Sequence, residues 1–198
     1  MKMEKIAIIG AGAVGCGLGF LLNRAGREVT LIGRADQVEI LRSEGLRVEG
    51  YAGEHQVKIP AAERLDFKPD LVLLAVKTQD VAGALRENLP WLTGVPVITL
   101  QNGVRGDDLA AGLLPQDRII SAVVLLHANY LAPGSVTLMY EGGLILGRPF
   151  GPRDSLLEEA SQRFFLVSAG QHPRRTFPLF GLQPVVQEYD PAPKRLGT

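Results

Sequence analysis

Three glycines fall within six residues near the start of the chain, Gly10-Ala-Gly-Ala-Val-Gly15. They follow a short apolar run, Ile6–Ile9, and open an amphipathic stretch, Val14–Ala25. No other feature constrains the fold as strongly. The spacing G-x-G-x-x-G by itself is common, but here it joins a predicted strand to a predicted helix, and a second strand begins near Glu28. In such a unit the first glycine allows a tight turn, the second lets a ligand approach the backbone, and the third lets helix and strand pack closely. A glycine-rich turn needed only for helix–strand packing is the competing reading.

The rest of the chain repeats the alternation. Glu28–Ile32, Asp70–Val76, Val95–Leu100 and Arg118–Leu126 are further apolar runs. They are nearly continuous rather than alternating, as expected of strands covered on both faces. Ala35–Ser43 and Asp80–Leu89 read as helices, and Gly26 as the residue that ends the first helix. Arg47–Glu49 and Gln56–Ile59 read as a small inserted strand pair. Ser135–Tyr140 and Leu144–Leu146 read as a hairpin turning at Gly142-Gly143. Asp154–Ala169 reads as an amphipathic helix closed by Gly170. Together these predict an α/β fold, Rossmann-like and doubly wound, with a mainly parallel sheet and helices on both faces. The predicted domain spans residues 1–170. Residues 171–198 carry five prolines and no helical or strand period, and read as an irregular Pro-rich tail.

Composition excludes several classes of function. Basic and acidic residues balance at 21 each, so no net field draws the chain to nucleic acid or an anionic membrane. No apolar run approaches the roughly 18 residues a membrane span needs. The first ten residues lack the pattern of a signal peptide. The only cysteine, Cys16, has no partner for an internal disulfide and reads as a core residue. A reducing, cytoplasmic setting is expected, with no metal site.

The turn points to a phosphate-bearing ligand, because helix-start N–H groups receive phosphates. Enzymes that take NAD usually place an acid at the end of the second strand. Here that position reads Leu31-Ile-Gly-Arg34, with an arginine and no acid. A guanidinium suits a ribose 2′-phosphate by charge and by its fork geometry, and Gly33 leaves room for it. NADP(H) is therefore the expected cofactor. A solvated surface arginine is the other reading of Arg34.

At this point the sequence resembles the ketopantoate reductase (2-dehydropantoate 2-reductase) family. The resemblance rests on Ile6–Gly17, Gly33-Arg34, Leu41–Leu46, Asp70–Thr78, Leu100-Gln-Asn-Gly-Val104 and Ala132-Pro-Gly-Ser-Val136, in the family's order. It implies that Gly10, Ala11, Gly12, Ala13, Val14 and Gly15 hold the pyrophosphate and that Arg34 meets the 2′-phosphate. It further implies that Lys77 lines the cleft, that Asn102 contacts both the nicotinamide half and the substrate, and that Ala128 lies against the cofactor through its backbone. Position along the chain agrees with this placement. Lys77 and Asn102 follow the carboxyl ends of core strands, where ligands bind in open α/β sheets. Asn102 carries a donor and an acceptor that could orient a 2-keto acid. A solvated strand-end lysine and a bare Asn-Gly turn are the competing readings. His127 reads as a packed strand histidine rather than an acid.

The implied activity is NADPH-dependent reduction of a 2-keto acid to a 2-hydroxy acid, with 2-dehydropantoate as substrate and pantothenate biosynthesis as the pathway. Family members carry a second, helical domain that supplies the proton-donating lysine and further substrate contacts. After Lys77 the one lysine is Lys194, set among prolines with no asparagine beyond it. No catalytic residue is assigned, and a change of reading frame near Gly170 or a truncated relative is expected. Two alternatives stand beside the reductase: a remnant that binds NADP(H) without turnover, and an interaction protein, such as a homo-oligomer, whose cleft another subunit completes.

Overall fold

Residues 6–9 and 71–74 alternate their side chains between two apolar layers, and this alternation builds the molecule. Ile6 and Ile8 enter one layer with Leu71 and Leu73, whereas Ala7 and Ile9 enter the other with Val72 and Leu74. A strand buried on both sides needs apolar residues at every position, which explains the continuous runs. The structure, a computed structural model, describes residues 5–51, 53–103 and 105–168.

The strands are β1 (Lys5–Ile9), β2 (Glu28–Ile32), β3 (Leu46–Gly50), β4 (His55–Val57), β5 (Ala61–Ala62), β6 (Leu71–Leu74), β7 (Val97–Thr99), β8 (Ile119–Ala132) and β9 (Ser135–Gly147). The helices are α1 (Ala13–Arg24), α2 (Ala35–Ser43), α3 (Val81–Leu92), α4 (Arg105–Ala111) and α5 (Ser155–Ser168). Among the described residues the nine strands form one sheet in the order β4-β3-β9-β8-β7-β6-β1-β2-β5. From β5 to β8 neighbouring strands are parallel. Counting only those six in chain order, the spatial order is 3-2-1-4-5-6, that of a doubly wound dinucleotide-binding sheet. Apolar residues of α1, α2 and α5 fill one layer, and those of α3 and α4 the other. The expected fold class is thus the observed one.

The sheet does not end at β8. The antiparallel β8–β9 hairpin leads to β3, which pairs in parallel with β9 and antiparallel with β4. The curled sheet surrounds α1, which touches β1, β2, β3, β8 and β9. Phe20 of α1 is fully buried, 5.2 Å from the His55 ring and 5.3 Å beneath the Arg24 guanidinium. Burying a phenylalanine contributes about 1.5–3 kcal/mol, so the inserted strands help hold α1 in place.

Several sequence expectations need correction. The hairpin turns at Pro133-Gly134, not at Gly142-Gly143. Gly134 has φ +70°, and a Cβ there would lie 2.6 Å from Cγ2 of Ile40. Proline followed by a positive-φ glycine is the residue pair a tight turn demands. Gly142 and Gly143 instead lie within β9, where the register jumps between Val124↔Leu144 and Leu126↔Glu141. They mark a bulge, the other common use of glycine in a strand. The strand expected over Arg118–Leu126 runs on to Ala132, and the helix expected to stop at Leu89 continues through Pro90 to Leu92. Proline is tolerated in that last turn because the lost bond sits at a half-exposed helix end. The short helix α4 was not expected. The predicted tail, 171–198, and Gly170 lie outside the described residues.

Candidate functional site

The end of β1 and the end of β6 meet at Gly10. Its φ is +115°, and a Cβ there would lie 2.7 Å from the carbonyl carbon of Ala75 and the nitrogen of Val76. Only glycine permits that backbone angle and that approach together. Gly12 caps α1 without any side-chain hydrogen bond, and a Cβ on it would meet nothing within 4 Å. The first N–H groups of α1 therefore face open space with the positive end of the helix dipole behind them. Such a helix end can receive an anion. Gly15 closes the turn from beneath, packed against the carbonyl of Gly10. Ala11 is buried, while Ala13 and Val14 are half-buried in the first turn.

Arg34 stands at the corner between β2 and α2, and its side chain is 83% exposed. A Cβ on Gly33 would lie 2.8 Å from Cβ of Ala11, so this corner rests directly on the glycine turn. The sequence Leu31-Ile-Gly-Arg34 carries no acid at the end of β2 itself. In three dimensions Asp36, in the first turn of α2, comes within 3.6 Å of the Arg34 Nε. Both side chains reach solvent, so the pair is weak and leaves Arg34 able to turn toward a ligand.

Lys77 follows β6 and is exposed at the start of a 3-10 turn, Thr78–Asp80. Asn102 follows β7 and is also exposed. The residue that brings these two loops together is Gln101, which the sequence reading left unassigned. Its Nε2 donates to the carbonyls of Leu74 and Val76, each at 2.8 Å. The loop of Asn102 is thereby fixed against the loop of Lys77, and Gly10 lies against the same segment. Ala128, on β8, packs beside α1, 3.6 Å from where a Cβ on Gly17 would stand.

Beneath the turn lies a polar cluster that the sequence did not reveal. Gln37 of α2 is buried, and its Nε2 donates to the carbonyl of Ala11. The hydroxyl of Tyr130, from β8, donates to Gln37 Oε1 at 2.6 Å. Burial pushes the Tyr130 phenol up from its ordinary pKa, helped by Asp36 and opposed by Arg34. Cys16 is core, as expected; its thiol points to the Ala11 carbonyl at 3.2 Å, and burial pushes its pKa up to about 12. His127, expected to be packed, is exposed on β8.

A cavity of about 440 Å³ opens beside Asn102, between α4 and the β8–β9 hairpin. Of the predicted site residues only Asn102 lines it, so it adjoins the glycine turn's cleft rather than coinciding with it. Asp107, Ser121 and Arg148 supply polar groups to its wall, and Val123, Ile145 and Phe150 supply apolar ones. Asp107 is buried and accepts a hydrogen bond from the Thr99 hydroxyl. Desolvation raises its pKa, opposed by the hydroxyls of Thr99 and Ser121. Arg148 is buried, with Nη1 donating to the Ile119 carbonyl at 2.6 Å and Nε 3.4 Å from the Asp154 carboxylate. Among the described residues no cluster of three or more His, Cys, Asp or Glu is placed to hold a metal. Nor, among them, is any helix long and apolar enough to cross a membrane.

Residues 6–149 match the model of the family described as ketopantoate reductase PanE/ApbA. The chain belongs to the ketopantoate reductase family. The 2-dehydropantoate 2-reductase of Pyrococcus abyssi is 32% identical over 161 residues, which is 81% of this chain and 53% of that protein. A solved PanE/ApbA family ketopantoate reductase from Ralstonia eutropha superposes with a TM-score of 0.73 at 36% identity, covering 82% of this chain and 54% of the other. A D-mandelate dehydrogenase solved with NADH and anilino(oxo)acetate gives a TM-score of 0.75 at 25% identity, covering 83% and 54%. The chain spans about half the length of the ketopantoate reductases it matches. The matched half contains the glycine turn, Arg34, Lys77, Asn102 and Ala128.

Proposed function

We propose that this domain is the NADP(H)-binding half of an enzyme that reduces a 2-keto acid to a 2-hydroxy acid, with 2-dehydropantoate the substrate that family membership favours. The observation that carries the proposal is the junction of three loops at one sheet end. The open N-terminus of α1 lies against the β6 end at Gly10, and Gln101 ties the Asn102 loop to that same end. A dinucleotide fits the cradle, because Gly12 leaves the space and the unpaired N–H groups that a pyrophosphate needs.

When bound, the cofactor supplies the hydride. The protein's own groups bind and orient. Gly10 to Gly15 present helix-start N–H groups to the pyrophosphate. Arg34 turns from Asp36 toward the 2′-phosphate, and Lys77 lines the cleft at the carboxyl end of β6. The Asn102 side chain, held at its base by Gln101, can donate to a substrate carbonyl and accept from a hydroxyl. The backbone of Ala128, on β8, would contact the cofactor from that side. The nascent alkoxide also needs a proton, and no group of this cleft is assigned that task; in the family it falls to a lysine of the second domain. The setting proposed is the reducing cytoplasm, and the pathway pantothenate biosynthesis.

The test is NADPH binding and NADPH oxidation by this chain against a panel of 2-keto acids. Expected are binding of NADPH in preference to NADH, and turnover of 2-dehydropantoate far below the ordinary enzymatic range of about 1–10³ per second. Ordinary turnover would place an acid within this chain, and failure to bind either cofactor would overturn the proposal. A second, compatible reading is favoured by the hairpin surface. Val123, Leu131, Met139 and Tyr140 are each more than half exposed there. Such an apolar concentration suits contact with a further protein surface, including a second copy of the chain. The mass in solution tests for self-association.

A further inference from the structure

The glycine turn has no side chain of its own to fix the direction of its peptide groups. Gly12 makes no capping bond, and a Cβ on it would touch nothing within 4 Å. Yet an anion site works only if its N–H groups point at the anion before the anion arrives. The direction is set from below. In a planar trans peptide the carbonyl and the following N–H point opposite ways. The Ala11 carbonyl receives two donors from the protein interior: Nε2 of Gln37 and, at 3.2 Å, the thiol of Cys16. With that oxygen drawn inward, the N–H of Gly12 in the same peptide must point outward, toward the open side of the turn.

Gln37 is itself held. It is 3% exposed, and its other amide atom, Oε1, accepts the Tyr130 hydroxyl at 2.6 Å. A side-chain amide has one donor end and one acceptor end; the Ala11 carbonyl, which only accepts, takes the donor end, and the Tyr130 hydroxyl holds the acceptor end in place. Rotating the amide by half a turn would set oxygen against oxygen at Ala11. Tyr130 lies 93 residues from Gln37, on the hairpin whose tip rests on Ile40 of α2. The chain thus carries a relay from β8 through α2 to the turn.

We infer that Gln37 and Tyr130 are positioning residues for the phosphate-binding turn, orienting the Gly12 N–H through the Ala11 carbonyl. The inference rests on the proposal that the turn takes a dinucleotide. It assigns the relay to the pyrophosphate, which all such cofactors share, and not to the 2′-phosphate.

The test compares the 198-residue chain with Tyr130→Phe and Gln37→Met. Affinities are measured for NADPH, NADH and ADP-ribose, which contain the pyrophosphate, and for 2′-AMP, which lacks it. The Gly12 amide is followed by NMR in the absence of ligand. Losing one neutral hydrogen bond corresponds to about a three- to tenfold change in affinity. Tyr130→Phe should weaken the three pyrophosphate ligands by one common factor of that size, and Gln37→Met by more, with 2′-AMP unchanged. The Gly12 amide resonance should shift or broaden in both variants. Should Gln37→Met not fold, Tyr130→Phe, which deletes one hydroxyl from a partly exposed ring, carries the test. Parental affinity for all three ligands, a loss confined to NADPH, or an equal loss for 2′-AMP would each overturn the inference. If the parent chain binds none of the dinucleotides, the cofactor reading fails and this inference falls with it.

Discussion

A Cβ placed on Gly15 would stand 1.9 Å from the carbonyl oxygen of Gly10. The corresponding carbon on Gly12 would touch nothing within 4 Å. Two glycines of one motif thus have different duties, and substitution separates them. Gly15→Ala forces backbone against backbone and should cost about 1–3 kcal/mol or more of stability, read as a fall in the denaturant midpoint. Gly12→Ala should leave the fold nearly untouched and weaken NADPH binding by about tenfold or more, because the methyl group fills the space left for phosphate. Equal destabilisation by both variants would count against this division.

On the proposed cofactor reading, Arg34 and Asp36 set the preference between NADPH and NADH. A charge-assisted contact contributes about 1.5–3 kcal/mol, so Arg34→Ala should narrow the preference for NADPH over NADH by roughly one to two orders of magnitude. Asp36→Asn should widen it severalfold, since it frees the guanidinium and removes a negative charge from the path of the 2′-phosphate. Isothermal titration with both cofactors measures each ratio. An unchanged ratio in Arg34→Ala would leave Arg34 as a solvated surface residue.

What could be read from the sequence was what local spacing encodes. The glycine positions between Ile9 and Val14, and the doubly buried runs at Ile6 and Leu71, carry their geometry with them. Gly142-Gly143 misled because a glycine pair looks the same in a turn and in a bulge. The choice is made across the sheet, by the register of β8 against β9. Helix α4 escaped notice because Gly106 and two adjacent aspartates, Asp107 and Asp108, break any apolar period. Gln37 and Tyr130 were invisible for another reason: their contact joins residues 93 apart and exists only once the hairpin has folded over α1. Gln101 stood inside a motif already singled out, but its amide faces two carbonyls whose position no spacing rule predicts.

Asp107 should leave a mark on stability as a function of pH. Its folded pKa is raised, chiefly by burial. A group raised in this way contributes stability that is complete below the unfolded carboxylate pKa of about 3.9 and is lost as pH climbs through the folded value. Asp107→Asn imitates the protonated form at every pH. The melting temperature of the variant relative to the parent should therefore rise as pH climbs above about 4. A constant or falling difference would mean that ionisation of this carboxyl costs the fold nothing.

Cys16 should resist thiol reagents while the protein is folded. Its pKa of about 12 leaves on the order of a thousandfold less thiolate at neutral pH than an ordinary cysteine has, and the sulfur is fully buried. Labelling by iodoacetamide should be slow in buffer and rapid in denaturant. Fast labelling of the native chain would show that the region around α1 opens readily.

The two borders of the sheet are very short: β4 has three residues and β5 has two. A strand of that length offers a foreign chain only a few unpaired amide groups, too few to template a new strand. Lys58, just past β4, places an ammonium beside the border by donating to the Ser43 carbonyl at 2.7 Å. The protein is thereby guarded against lateral sheet-to-sheet growth and the fibrous aggregation that follows from it. On the hairpin face, by contrast, the exposed side chains of Val123, Leu131, Met139 and Tyr140 can take polar substitutions without disturbing a single ladder bond of the sheet.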